Sequence, residues 1–110
     1  MSTFDVQSLF AAVPSDQREE QFLTLLQSDH FRLVRIVSTG QTTPEGEWYD
    51  QDENEWVAVL HGRAEVRFAD GNVTKTLNPG EYLHISAHVR HRVEKTDPEQ
   101  PTVWLALHYS

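Results

Sequence analysis

From Phe31 onward this chain changes its hydrophobic period to two and keeps it, and that rhythm constrains the fold more than any other feature. In Phe31-Arg32-Leu33-Val34-Arg35-Ile36-Val37, Phe31, Leu33 and Val37 share one face, while Val34 and Ile36 share the other. β-Branched and aromatic residues at that alternation specify a strand, and apolar groups on both faces specify one that is covered. Further short strands follow at intervals of roughly ten residues, the spacing of an all-β sandwich or barrel. They are read over residues 47–50, 55–61, 64–68, 73–77, 81–85, 91–95 and 102–108. Turn chemistry separates them: Ser38-Thr39-Gly40, Thr43-Pro44-Glu45-Gly46, the hairpin signal Asp70-Gly71, Pro79-Gly80, and the rigid loop Asp97-Pro98-Glu99-Gln100-Pro101.

The first 29 residues read differently. Phe4, Val6, Leu9, Phe10 and Val13 recur at roughly helical spacing until Pro14 breaks the pattern. Ser15, Asp16, Arg18, Glu19 and Glu20 then resemble a capped, acidic helix start. Phe22, Leu23, Leu25 and Leu26 supply the buried stripe of that second helix. The expectation is a helical arm over residues 1–30 and a β domain over 31–110. The 110 residues suffice for one core.

A net charge of −8 argues against nucleic acid or an anionic membrane as the main partner, since both require a basic surface. No apolar run is long enough to span a bilayer, and Met1-Ser2-Thr3-Phe4-Asp5 lacks the basic start of a signal peptide. With no cysteine, disulfides, thiol catalysis and thiolate-bound metals are excluded. A cytoplasmic location is the default expectation.

Two motifs in order make the barrel specific. Glu55-Trp56-Val57-Ala58-Val59-Leu60-His61-Gly62 matches the end of the pattern G-x5-H-x-H-x(3,4)-E-x6-G. Gly80 and His91 fit G-x5-P-x-G-x2-H-x3-N, with Ser86, His88 and Lys95 standing at the proline, second glycine and asparagine positions. The chain thereby resembles the cupin family over about residues 31–109, which implies a jelly-roll barrel.

The resemblance also implies a divalent metal held by two histidines and a glutamate of the first motif and a histidine of the second. Glu55 and His91 are retained. The H-x-H positions fall on Tyr49 and Gln51 when three residues precede Glu55, on Trp48 and Asp50 when four do, and on Asp52 and Asn54 when counted from Gly46. None is histidine. One imidazole, one carboxylate, a phenol and an amide are a poor donor set for zinc or nickel, but they offer both donors and acceptors to a polar organic ligand.

The leading expectation is therefore a small polar molecule bound or sensed by Tyr49, Gln51, Glu55 and His91. In the bland alternative, Glu55 and His91 are a purely structural ion pair. The first rival function is a metal-dependent enzyme, an oxygenase or isomerase, with Glu55 and His91 as ligands supplemented by His88 or Asp50. A structural interaction domain is the second rival. The family resemblance further implies a homodimer.

Among the other histidines, His30 reads as solvated, His84 as outward-facing and His61 as a turn residue. His88 lies in a loop within reach of the barrel mouth, and the face of His108 is left open. Trp48, Tyr49, Trp56 and Trp104 read first as core or dimer-interface packing. Trp48 and Tyr49 have a pocket-lining alternative.

Overall fold

The computed structural model describes residues 4–15 and 18–110, and these form eight strands with one short 3₁₀ turn. The strands are β1 (Gln21–Gln27), β2 (Phe31–Ser38), β3 (Asn54–His61), β4 (Ala64–Phe68), β5 (Val73–Leu77), β6 (Tyr82–Ile85), β7 (His91–Thr96) and β8 (Thr102–Tyr109). They divide into a five-stranded sheet, β1-β2-β8-β3-β6, and a three-stranded sheet, β5-β4-β7, with antiparallel pairing throughout. The expected barrel is thus built as two packed sheets and not as one closed hydrogen-bonded ladder. Val57, Val59, Ile85, Trp104 and Ala106 of the larger sheet meet Ala64, Val66 and Leu77 of the smaller one to form the core. Fully burying a side chain such as Val59 contributes about 1.5–3 kcal/mol.

The expected helical arm is absent from the described residues. Residues 9–12 form turns, and the supposed second helix is strand β1. Asp16, part of the expected acidic helix start after Ser15, lies outside the described residues. The misreading has a physical origin. A bulge between Thr24 and Leu26 shifts the register, so that Leu23 pairs with Arg35 and Leu26 pairs with Leu33. Arg35 and Leu33 share one face of β2, so Leu23 and Leu26 share a face at a separation of three residues. That spacing imitates a helix. Phe22 and Thr24, opposite Ile36 and Val34, point to the other face.

Arg35 shows what the N-terminal segment does instead. Although charged, it is only 2% exposed. Its guanidinium donates to the Leu9 and Ala11 carbonyls at 3.2 and 2.5 Å and to Gln21 Oε1 at 2.6 Å, tying residues 9–11 across the outer face of β2. A buried charge persists only with such partners.

The strand expected over residues 47–50 is reduced to one bridge. Tyr49 donates its N–H to the His91 carbonyl at 2.7 Å and accepts from the His91 N–H at 3.1 Å. Asp70-Gly71 does turn the chain between β4 and β5, through Asp70–Asn72 with Gly71 at φ 75°.

Candidate functional site

Between the sheets lies a cavity of about 150 Å³. Its base is apolar, formed by Ile36, Val57, Val66, Ile85, Val93 and Trp104. Its polar groups are Tyr49, Gln51, Glu55, His91, His108 and Glu20. Tyr49, Gln51, Glu55 and His91, singled out from the sequence, all line this one space.

Each is placed by a strand or by a bond to one. Glu55 precedes Val57 and Val59 on the inner face of β3 and is 8% exposed. Gln51 Nε2 donates to Glu55 Oε1 at 3.0 Å. His91 opens β7, where its ring lies 5.5 Å from that of Tyr49 and 6.2 Å from that of Phe68. His91 Nδ1 donates to the Val89 carbonyl at 2.9 Å. A carbonyl can only accept, so the Nδ1 proton is fixed, and Nε2 carries a proton only when the ring is charged. Nε2 lies 3.6 Å from Glu55 Oε1. That is an ion pair too long for a good hydrogen bond, and its attraction requires the imidazolium.

The titrations follow from this geometry. Burial alone pushes Glu55 upward, but His91, Gln51 and His108 outweigh it and hold the carboxyl below its ordinary 4.5. Burial alone pushes His91 downward, but Glu55 and the Val89 carbonyl prevail and hold it above 6.5. Glu55 therefore contributes stability that is present above its unfolded value and lost as pH falls through its lower folded value. His91 contributes stability that is complete below its unfolded value and lost as pH rises through its higher folded value. The pair supports the fold most fully between about pH 4.5 and 6.5. Burial, followed by the charge of Glu20, raises the Tyr49 phenol despite a bond with Thr43, so it stays a donor at neutral pH.

His108 and Glu20 were not among the sequence-derived site residues. His108 stands opposite Glu55 in the β3–β8 register, its Nε2 4.0 Å from Glu55 Oε2, while its buried Nδ1 has no partner among the described residues. The face of His108 depends on which strand β8 joins, which alternation within β8 does not encode. Glu20 accepts from the Ser38 hydroxyl, which itself accepts from Trp104 Nε1 at 3.0 Å. Glu20 had been assigned to a helix, which concealed its position.

The remaining candidates lie elsewhere. His88 is exposed and sits at φ 65°, with Nδ1 2.9 Å from Asp50 and Nε2 3.5 Å from Asp52. Neither His88 nor Asp50 lines the cavity. Trp48 is outside it as well, clasped by Arg67, Arg90 and Arg92 at 5.6–5.9 Å. His84 is exposed and bonds Tyr109 Oη at 2.5 Å, and His61 is exposed and bonds the Pro101 carbonyl.

A divalent metal does not fit this donor set. Among the described residues, no three His, Asp or Glu side chains are arranged to hold an ion. Glu55 is already engaged by Gln51 and paired with His91 and His108, so its carboxylate oxygens are committed within the protein.

The architecture and both motif remnants agree with the family comparison, in which the cupin domain model matches residues 34–108. The chain belongs to the cupin family. A structure from Ralstonia eutropha JMP134, named "putative mannose-6-phosphate isomerase", is 42% identical with a TM-score of 0.93, covering 96% of this chain and 98% of that one. A cupin superfamily protein from Desulfitobacterium hafniense DCB-2 is 16% identical with a TM-score of 0.73, covering 88% and 83%. The polyketide cyclase RemF from Streptomyces resistomycificus is 22% identical with a TM-score of 0.70, covering 89% and 74%. The last two establish likeness of fold alone. A comparison with curated proteins finds no match to this chain. No helix among the described residues is long and apolar enough to cross a membrane.

Proposed function

We propose that this cupin binds a small molecule between its sheets, anchoring a polar group of that ligand on Glu55, His91, Gln51 and Tyr49 without a metal. The observation that carries this reading is the buried Glu55–His91 ion pair lining a mostly apolar cavity. Burying two charges there is costly, and well-packed apolar residues are commonly as stable, so the pair suits recognition better than stability. Thermal unfolding of the untagged protein against a library of small polar metabolites tests it. A ligand at a hundred times its Kd stabilises by about 2.7 kcal/mol. The upward shift disappears in His91→Ala and persists in His88→Ala, whose imidazole is outside the cavity. Stoichiometric divalent metal that is lost in His91→Ala contradicts the proposal.

A second reading is favoured by one feature of the same pair. A histidine held above its ordinary value beside a carboxylate can give and take a proton near neutrality, as an isomerase requires. The Ralstonia relative is named for an isomerase of a phosphorylated sugar. Against that substrate class stands the lining itself, which contains no Arg or Lys and two carboxylates, Glu20 and Glu55.

We also infer that the partner at β1 is a second copy of this chain. Gln21–Gln27 contains no charged residue, lies at the edge of its sheet, and exposes Phe22, Leu23, Leu25 and Leu26. Edges of stable monomers are guarded by charge, proline or cover. Edge strand β5 carries the exposed Lys75, and β7 is covered by the bonds of Thr43 to Val93. Among the described residues β1 has no such guard, and two copies related by a twofold axis satisfy it by pairing with each other. Sedimentation at micromolar concentration gives a dimer for the wild type and a monomer for the Leu23→Lys/Leu26→Lys double variant. A monomeric wild type excludes the arrangement.

A further inference from the structure

The size and lining of the cavity define the ligand more narrowly, on the reading that it is a binding pocket. We propose that it takes an uncharged, ring-sized molecule carrying a single hydroxyl or carbonyl, of the chemical class of phenol. Three observations lead there.

The first is volume. The cavity measures about 150 Å³, and an apolar cavity of about 150 Å³ accommodates benzene. A molecule of about that size fills the space, and a hexose phosphate is larger than the space.

The second is the distribution of chemistry. Ile36, Val57, Val66, Ile85, Val93 and the Trp104 ring surround most of the volume, so the body of the ligand must be apolar to gain by entering. The polar atoms converge at Glu55, flanked by Gln51, His91 and His108. The place for a hydrogen-bonding substituent is therefore localised. His108 adds a second imidazole to this polar cluster, its Nε2 4.0 Å from Glu55 Oε2.

The third is charge. Glu20 and Glu55 both line the cavity, His91 balances only one of them, and neither Arg nor Lys lines it. A carboxylate or phosphate entering here loses its hydration and meets a second negative charge, so anions are rejected. Glu20, bonded to Ser38 beside Trp104, keeps that negative field at the cavity even while His91 is charged.

The test uses the intact wild-type protein, with phenol, benzene, inorganic phosphate and glucose 6-phosphate as probes followed by NMR titration. Phenol is expected to bind saturably and to shift the Trp104 indole N–H and the His108 ring resonances. Benzene should bind about tenfold more weakly, the loss expected for one hydrogen bond. Neither phosphate probe should move the Trp104 resonance. If glucose 6-phosphate or inorganic phosphate shifts Trp104 and displaces phenol, the ligand class is overturned while the pocket reading survives. If no probe shifts Trp104 and no metabolite in the thermal screen raises the unfolding temperature, both are overturned.

Discussion

Replacing Glu55 with alanine lowers stability by about 3–5 kcal/mol, the loss typical of removing one partner from a buried ion pair. The basis is local. The Glu55 and His91 side chains are 11% and 6% exposed, so neither charge is screened by water. Without the carboxylate, Gln51 Nε2 loses the oxygen it donates to, and the two imidazoles face an empty space. The remaining route is for His91 to give up its proton, which adds a pH-dependent cost. Urea unfolding of Glu55→Ala against the wild type at pH 6 measures the effect. A loss below about 1 kcal/mol would place the pair among weakly coupled surface ion pairs and contradict its burial.

Gly62→Ala is expected to cost about 3 kcal/mol, through two additive causes. Gly62 sits at φ +81°, a conformation unfavourable for a residue with a Cβ. A Cβ there lies 2.7 Å from Thr102 Oγ1, 2.8 Å from the Pro101 carbonyl oxygen and 2.8 Å from Thr102 Cα. Two of those atoms are backbone and cannot rotate away. Gly80 is the control, since at φ +89° it has nothing within 4 Å of the added carbon. Gly80→Ala carries only the conformational strain, about 1 kcal/mol at the lower end of that range. The difference between the two urea midpoints isolates the contact, and equal midpoints would show that β8 yields. Because Thr102 begins β8, which carries Trp104 and His108, Gly62→Ala also disturbs the cavity.

These expectations show where the sequence was informative and where it was not. The strands from Phe31 onward were legible because alternation and turn residues act locally, and β4 and β5 fall on the residues expected of them. The inward positions of Glu55, Val57 and Val59 followed from the same rule. β1 was illegible because one extra residue at the bulge changes the period from two to three. His108 could not be placed because its face is fixed by pairing with a strand some fifty residues away in the chain, where Glu55 is its opposite. Arg35 shares a face with Leu33 and Val37, and alternation alone does not say what covers it. Only the chain at Leu9 and Ala11, folding back over it, makes it buried. For His108 and Arg35 the missing information was a long-range contact; for β1 it was the bulge.

The account as a whole depends on His91 and Glu55 being a charged pair inside the cavity, and an NMR pH titration of the His91 ring reads that state directly. In the wild type its midpoint lies above 6.5, because the carboxylate outweighs burial. In Glu55→Gln only burial and the Val89 bond remain to oppose each other, and the midpoint falls toward or below the ordinary value. A wild-type midpoint below 6.5, or one that Glu55→Gln leaves in place, would contradict the account.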